Sequence, residues 1–491
     1  MYTKLKNALV FANSNAYFYK IFYSINDLYI MKKYFLSIFA VLFIANLSYS
    51  QLPNQNTYLF AQVDQYQSYS ALWGYKAPDS REYAILGCNT GTSFIDITDS
   101  GNVRQVDFVT GITNNWREMK TYSHYAYVVS EATNSGLQII DLQYLPDSVV
   151  LVKTWSYAGY TKTHSIQQSG SYLYLNGGNS AANGGVTVVD VSDPVNPVKM
   201  GQWTTEYVHD CRILNDTIWA SNIYTGETSI INATNKNSLD FVRTWRSYPT
   251  SEVSTHNSAF TTDRKYCYTT NEISSPNGRL NIWNIEDVNN ITFIREWLPT
   301  GISTSIVHNV EIYGNLAVIA HYRAGIRILD ITNGSNPTEV AWYDTYPQSN
   351  SASYSGCWGV YMFPSGKIIG SDMSGGLIVI KTLNVLTGVS NNYVNSIPEK
   401  FSLDQNFPNP FNPSTTIKFN LKDNSKIKLS LYDIAGIKIA DLINDNRDAG
   451  SYEFNFDAAR YNLSSGTYFY SLEGNDINGN FTDTKKMILI K

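Results

Sequence analysis

The stretch Val307–Thr332, VHNVEIYGNLAVIAHYRAGIRILDIT, constrains this chain most, because the same pattern returns six more times. It reads as three short strands. Val307–Tyr313 alternates around a His-Asn pair, Gly314-Asn315 turns the chain, and Leu316–His321 is apolar. Tyr322–Gly325 turns again before Ile326–Ile331, which contains Asp330. Each run has strand length, is rich in β-branched and aromatic residues, and is bounded by Gly or Asn.

The third strand, a Gly followed by four or five alternating residues and a polar residue, recurs ending at Asp96, Asp141, Asp190, Asn232, Asn284, Asp330 and Lys381. The intervals are 45, 49, 42, 52, 46 and 51 residues. The first strand recurs at Trp73, Trp116, His164, His209, His256, His308 and Trp358, and the second as YAILGC, YAYVVS, YLYLNG, TIWASN, YCYTTN, LAVIAH and KIIGSD. A fourth strand follows units one to six but is missing after Lys381. One orphan copy lies at the other end of the chain, Thr57–Val63, TYLFAQV. A period of this size with about four strands per unit predicts an all-β, seven-bladed β-propeller. Its last blade is expected to borrow the N-terminal strand, which removes the open edge that a linear solenoid would expose.

At 491 residues the chain exceeds one ordinary core unless it is a repeat array. It is 43% hydrophobic and 14% aromatic but only 16% charged, the balance of a folded β-rich protein. Its net charge of −5, without a basic cluster, argues against nucleic acid as partner. Met31-Lys32-Lys33, the apolar run Tyr34–Leu47 and Ser48-Tyr49-Ser50 form a signal peptide with cleavage expected at Ser50-Gln51. Residues 1–30 read as an upstream extension from a wrongly chosen start codon. The apolar run is too short to span a membrane, and no other stretch reaches spanning length, so the mature chain is expected to lack a transmembrane span.

An exported chain permits disulfides. The repeat alignment puts Cys88 and Cys357 in adjacent units, and Cys211 and Cys267 likewise. Cys88–Cys357 and Cys211–Cys267 are therefore the open pairings, with four buried free thiols as the alternative.

The candidate chemistry lies in the first strands. His164, His209, His256 and His308 occupy equivalent positions in four successive units, and Asp210 follows one of them. If the first strand is innermost, these side chains converge on the channel. Imidazole with a carboxylate suits a divalent metal that activates water or polarises a substrate. The alternative is a hydrogen-bonding device repeated for structure. His124 and His321 fall outside the set. The Asp series after the third strands fits Asx turns, with calcium binding as the alternative. No motif of a known nucleophilic or phosphate-binding site is present. Trp155, Trp203, Trp245, Trp297 and Trp342 recur in fourth strands and are expected between blades, whereas a channel-facing Trp could stack on a sugar or peptide.

The repeats resemble the LVIVD-repeat proteins of the secreted choice-of-anchor B family. The likeness rests on Trp116–Lys120, His209-Asp210, Thr255–Asn257, Val307–Val310, Gly325–Thr332, Tyr343–Pro347, Cys357–Tyr361 and Ser371–Met373. It covers residues 57–383 and implies a β-propeller with no established enzymatic activity.

Residues 384–398 are polar and Asn-rich and read as a linker. From 399 to 491, alternating strands separated by Gly436, Gly450, Ser465-Gly466 and Asn478-Gly479 predict a seven-stranded β-sandwich. Asn406–Pro413 (NFPNPFNP), Leu431–Asp433, Leu463–Tyr470 and Lys485–Met487 make this tail resemble the type A C-terminal sorting domain of the type IX secretion system. That resemblance implies the secretion machinery as partner and export across the outer membrane of a Bacteroidetes-type bacterium, to the cell surface or the medium. The chain as a whole reads as an exported binding module for a surface protein or glycan. The alternative is a metal-dependent enzyme using the histidine ring.

Overall fold

In the computed structural model, the described residues are 54–246, 254–273, 278–383 and 401–490, the last without 407, 423–424, 448–449, 462 and 477–478. The upstream extension, the signal peptide and its cleavage point, and the linker assigned to 384–398 lie outside them.

Seven antiparallel sheets follow one another along the chain. Their innermost strands are Tyr69–Lys76, Arg117–Tyr122, Ser165–Ser169, Asp210–Leu214, Thr255–Phe260, Asn309–Tyr313 and Cys357–Met362, one for each of blades 1 to 7. Each inner strand contacts the next, and that of blade 7 contacts that of blade 1, so the sheets form a closed ring.

The outer strand of blade 7 is Thr57–Val63, paired antiparallel with Gly376–Thr382. Its register shifts between Leu59 and Ala61. A shift at the same place, between third and outer strands, occurs in the other six blades. The borrowed strand therefore carries the same local bulge, which bends and twists the outer edge. Gly376 has φ +77°, and a Cβ there would stand 2.2 Å from the Val63 carbonyl, so only glycine admits this closure. Asn54–Gln55 adds a short fifth strand to blade 6, and the Thr57 hydroxyl donates to the Trp342 carbonyl at 2.6 Å. The N-terminal segment thus straps blades 6 and 7 together.

The third strands end in the expected Asx turns. The side-chain oxygens of Asp96, Asp141, Asp190, Asn232, Asn284 and Asp330 each accept from the backbone N–H two residues on, at 2.7–2.9 Å. Those oxygens satisfy backbone donors, which is the structural alternative to calcium.

Apolar faces of neighbouring sheets bury one another. Trp203, Trp245, Trp297 and Trp342 are buried, as expected of inter-blade packing, and Trp155 is partly buried. The four cysteines are buried free thiols, so neither Cys88–Cys357 nor Cys211–Cys267 is bonded. The reason is positional: in each pair the two residues sit in different hydrophobic clusters. Burial pushes all four thiols up, that of Cys88 to about 12.

The seam between blades 7 and 1 holds a buried ion pair. Lys367 Nζ lies 3.0 Å from Glu82 Oε2 and donates to the Thr98 carbonyl at 2.9 Å, while the Ser365 hydroxyl donates to Glu82 at 2.8 Å.

The tail packs a three-stranded sheet (Ser402–Leu403, Ser414–Leu421, Gly450–Asp457) and a four-stranded one (Ser425–Tyr432, Lys438–Arg447, Gly466–Asp476, Gly479–Leu489) around one core. The buried Asn406 explains part of the NFPNPFNP segment. Its amide donates to the Pro408 carbonyl and Thr415, and its backbone N–H donates to the Tyr470 hydroxyl.

Removing one member of a buried ion pair costs about 3–5 kcal/mol, because the other charge is stranded. Glu82→Ala is expected to lower the denaturant midpoint, and Glu82→Met with Lys367→Met to recover most of the loss. Equal losses in both variants would show that the seam does not depend on this pair.

Candidate functional site

The inner strands converge on a cup at one mouth of the channel. It is lined by Ala71, Trp116, Arg117, Glu118, His164, Ser165, His209, Asp210, His256, His308, Asn309 and Trp358. Its free volume is about 20 Å³, room for one water-sized occupant.

The four histidines form a row of tilted rings. Ring centroids are 4.1 Å apart for His164–His209, 4.4 Å for His209–His256 and 4.2 Å for His256–His308. The series continues to Trp358 at 5.1 Å and from there to Trp116 at 5.7 Å. The blade 1 member is Ala71, not Trp73. A register shift between Tyr69 and Leu72 displaces the tryptophan along its strand, where it packs on Tyr361 and under Lys120 Nζ.

Within the row, successive imidazoles are fixed by the backbone of the next blade. His256 Nδ1 donates to the His308 carbonyl at 3.0 Å, and His308 Nδ1 donates to the Trp358 carbonyl. His209 Nδ1 is turned toward the His256 backbone without completing a hydrogen bond. A carbonyl can only accept, so Nδ1 of His256 and of His308 carries the proton. Burial, reinforced by neighbouring imidazoles, pushes both rings down to about 3 and His209 well below its usual value. Nε2 of His256 and His308 is therefore a bare lone pair at neutral pH.

Glu272, just past strand Tyr266–Asn271 of blade 5, faces these nitrogens. Its carboxylate oxygens lie 3.7 Å from His256 Nε2 and 3.8 Å from His308 Nε2. One oxygen accepts from the Tyr322 hydroxyl at 2.5 Å. Burial and this carboxylate push the Tyr322 hydroxyl well above its usual value, so it stays a donor. Single donor atoms of His209, His256 and Glu272 all lie within 4.8 Å of one another.

The remaining candidates behave differently. His164 Nδ1 pairs with Glu131 at 2.7 Å, and that hydrogen bond holds the Glu131 carboxyl below its usual range. Asp210 lines the cup, but its oxygens accept from Asn257 Nδ2 at 2.5 Å and the Cys211 N–H at 2.7 Å. His124 lies in a turn beside Asp141, and His321 is buried with Nδ1 3.0 Å from the Ser305 hydroxyl. One step further along the strands, Arg212 bonds Ser258, Val310 and Glu311 on the next two blades. Glu272, Glu131 and Tyr322 were not singled out in the sequence. The available signal was an acidic residue directly after a second strand, in units two and five.

One exposed ring lines the cup and two more lie behind its lining. Trp116 is 39% exposed. Tyr354, 49% exposed, stands 5.8 Å from Tyr322, which packs on His308. Tyr224, 73% exposed, packs 5.0 Å from Tyr207, which flanks Gly177 opposite His164.

This ring of sheets with its sorted tail defines an exported repeat β-propeller. The LVIVD repeat profile matches residues 160–205 and 306–345, and the secretion system C-terminal sorting domain matches residues 405–491. The chain carries LVIVD repeats and a type IX secretion sorting tail, which directs it to the cell surface or extracellular space. The tail engages the secretion machinery. Among the described residues no helix is long and apolar enough to cross a membrane. No curated protein matches the chain. Among solved structures it is similar to the periplasmic gluconolactonase PpgL of Pseudomonas aeruginosa, with 14% identity, 56% of this chain, 85% of that one and TM-score 0.45. It is also similar to PorZ, a surface component of the type IX secretion system of Porphyromonas gingivalis, with 11% identity, 84% and 58% coverage, and TM-score 0.40. Likenesses this distant say nothing of activity.

His321 gives a pH prediction. Burial, then the nearby Arg327 charge, pushes its ring down to about 3, against about 6.5 in an unfolded chain. The unfolded state thus binds the proton first, and this contribution to stability is full above pH 6.5 and lost as pH falls toward 3. In chelator-treated protein, melting temperature is expected to fall less steeply between pH 7 and 4 for His321→Gln than for wild type. Parallel curves would contradict the assignment.

Proposed function

We propose that this protein is a binding propeller, of the choice-of-anchor B kind, that captures a glycan at the channel mouth. The observation that carries the reading is the set of three exposed rings, Trp116 in the lining of the cup and Tyr224 and Tyr354 behind it through Tyr207 and Tyr322. Each stands among short polar residues: Asn114 and Asn115, Thr225, and Ser351, Ser353 and Ser355. A sugar offers an apolar C–H face to an aromatic ring and hydroxyls to such neighbours, whereas a protein partner favours a continuous apolar core. The cup itself is too small for a sugar ring, so the glycan lies across the rim. A second reading, a metal-dependent enzyme, has the neutral imidazoles beside Glu272 in its favour.

A glycan array with the purified chain, followed by calorimetry on the best hit, tests the proposal. Losing one buried aromatic contact costs about 1–2 kcal/mol, so Trp116→Ala and Tyr354→Ala are each expected to weaken binding roughly tenfold. An empty array, or a hit indifferent to both substitutions, would overturn it.

A further inference from the structure

Two features of the cup do not balance as drawn. Nε2 of His256 and Nε2 of His308 both point at the Glu272 carboxylate, at 3.7 and 3.8 Å. Their ring protons are committed to carbonyls on the other side. The Tyr322 hydroxyl supplies one proton to one carboxylate oxygen and leaves the rest of the set without one. Three electron-rich groups facing one another in a buried site repel unless a cation lies between them.

We propose that His209, His256 and Glu272 form a site for one divalent cation of the zinc class, with His308 beside the other carboxylate oxygen. The donor set of imidazole nitrogens and one carboxylate is the borderline mixture that zinc takes. Metal–ligand bonds of 2.0–2.1 Å at a tetrahedral angle put ligand atoms about 3.3 Å apart. His256 and His308 already stand near that distance from Glu272, and His209 falls within the wider 4.8 Å grouping with His256 and Glu272. The outer contacts match those that orient metal ligands: an Nδ1–H on a backbone carbonyl for each of two histidines, and a tyrosine hydroxyl on the carboxylate. The site goes beyond the glycan reading and stands without it.

Calorimetric titration of Zn²⁺ into the untagged, chelator-stripped full chain tests the site. The chain has only six histidines, so background binding is small. One zinc per chain is expected. Glu272→Gln and His256→Ala are each expected to weaken it at least 100-fold, and His124→Ala to leave it unchanged. Melting curves with and without zinc separate misfolding from lost ligation. Wild type should melt higher with zinc, and Glu272→Gln should melt as a folded protein with no zinc shift. Absence of stoichiometric binding, or wild-type affinity in Glu272→Gln and His256→Ala, would overturn the proposal. Trp116→Ala is expected to lose glycan but keep zinc, so the two readings fail separately.

Discussion

The unpaired edge of Gly376–Thr382 is the constraint on which the molecule depends. Six blades take their outer strand from the sequence that follows them, and the seventh has none. Thr57–Val63 fills that edge with the same bulge as every other outer strand. The ring then closes through the Glu82–Lys367 pair and the contact between the first and last inner strands. Without closure the inner strands would share no axis, and histidines spread from residue 164 to residue 308 would not become neighbours. The site is thus a property of the ring rather than of any one blade.

The ring also dictates the chemistry of the cup. Inner strands set side by side present each imidazole to the backbone carbonyl of the next blade. That contact fixes the proton on Nδ1 and leaves Nε2 facing Glu272. Ring centroids just over 4 Å apart make more than one charge in the series costly, so burial and mutual repulsion act in the same direction. Glu272, held by Tyr322, brings a negative charge to that neutral array. Around this centre the rim changes character to exposed aromatic rings among small polar residues. A compact electron-rich centre within a broad stacking surface is a sensible layout for a protein that a sorting tail delivers outside the cell.

Much of the fold was legible because blades are local and periodic. Gly before a third strand, Asp or Asn at its end, and an orphan fourth strand at the N-terminus were readable one by one, and the structure uses each as expected. Trp73 misled because the shift after Tyr69 breaks the alignment, which no alternation pattern reveals. Asp210 lines the cup as its place beside His209 suggested, but its oxygens accept from Asn257 and the Cys211 N–H, a pairing that the sequence does not show. The cysteines fell in adjacent units, as aligned, but unit order does not say which inter-blade core a side chain enters. Glu272 was invisible for a deeper reason. It lies in a connection after a second strand, and only three-dimensional convergence joins it to histidines on other blades.

The central claim is that neutral, Nδ1-protonated imidazoles turn bare Nε2 atoms on Glu272 at the channel mouth. Selective ¹⁵N labelling of the six histidines, with two-bond ¹H–¹⁵N correlation spectra of chelated protein at pH 7, reads the protonation of each ring nitrogen. The account predicts a pyridine-like, unprotonated Nε2 for His256 and His308. Protonated Nε2 on both rings, donating to Glu272, would contradict it and make the cup a hydrogen-bonded plug.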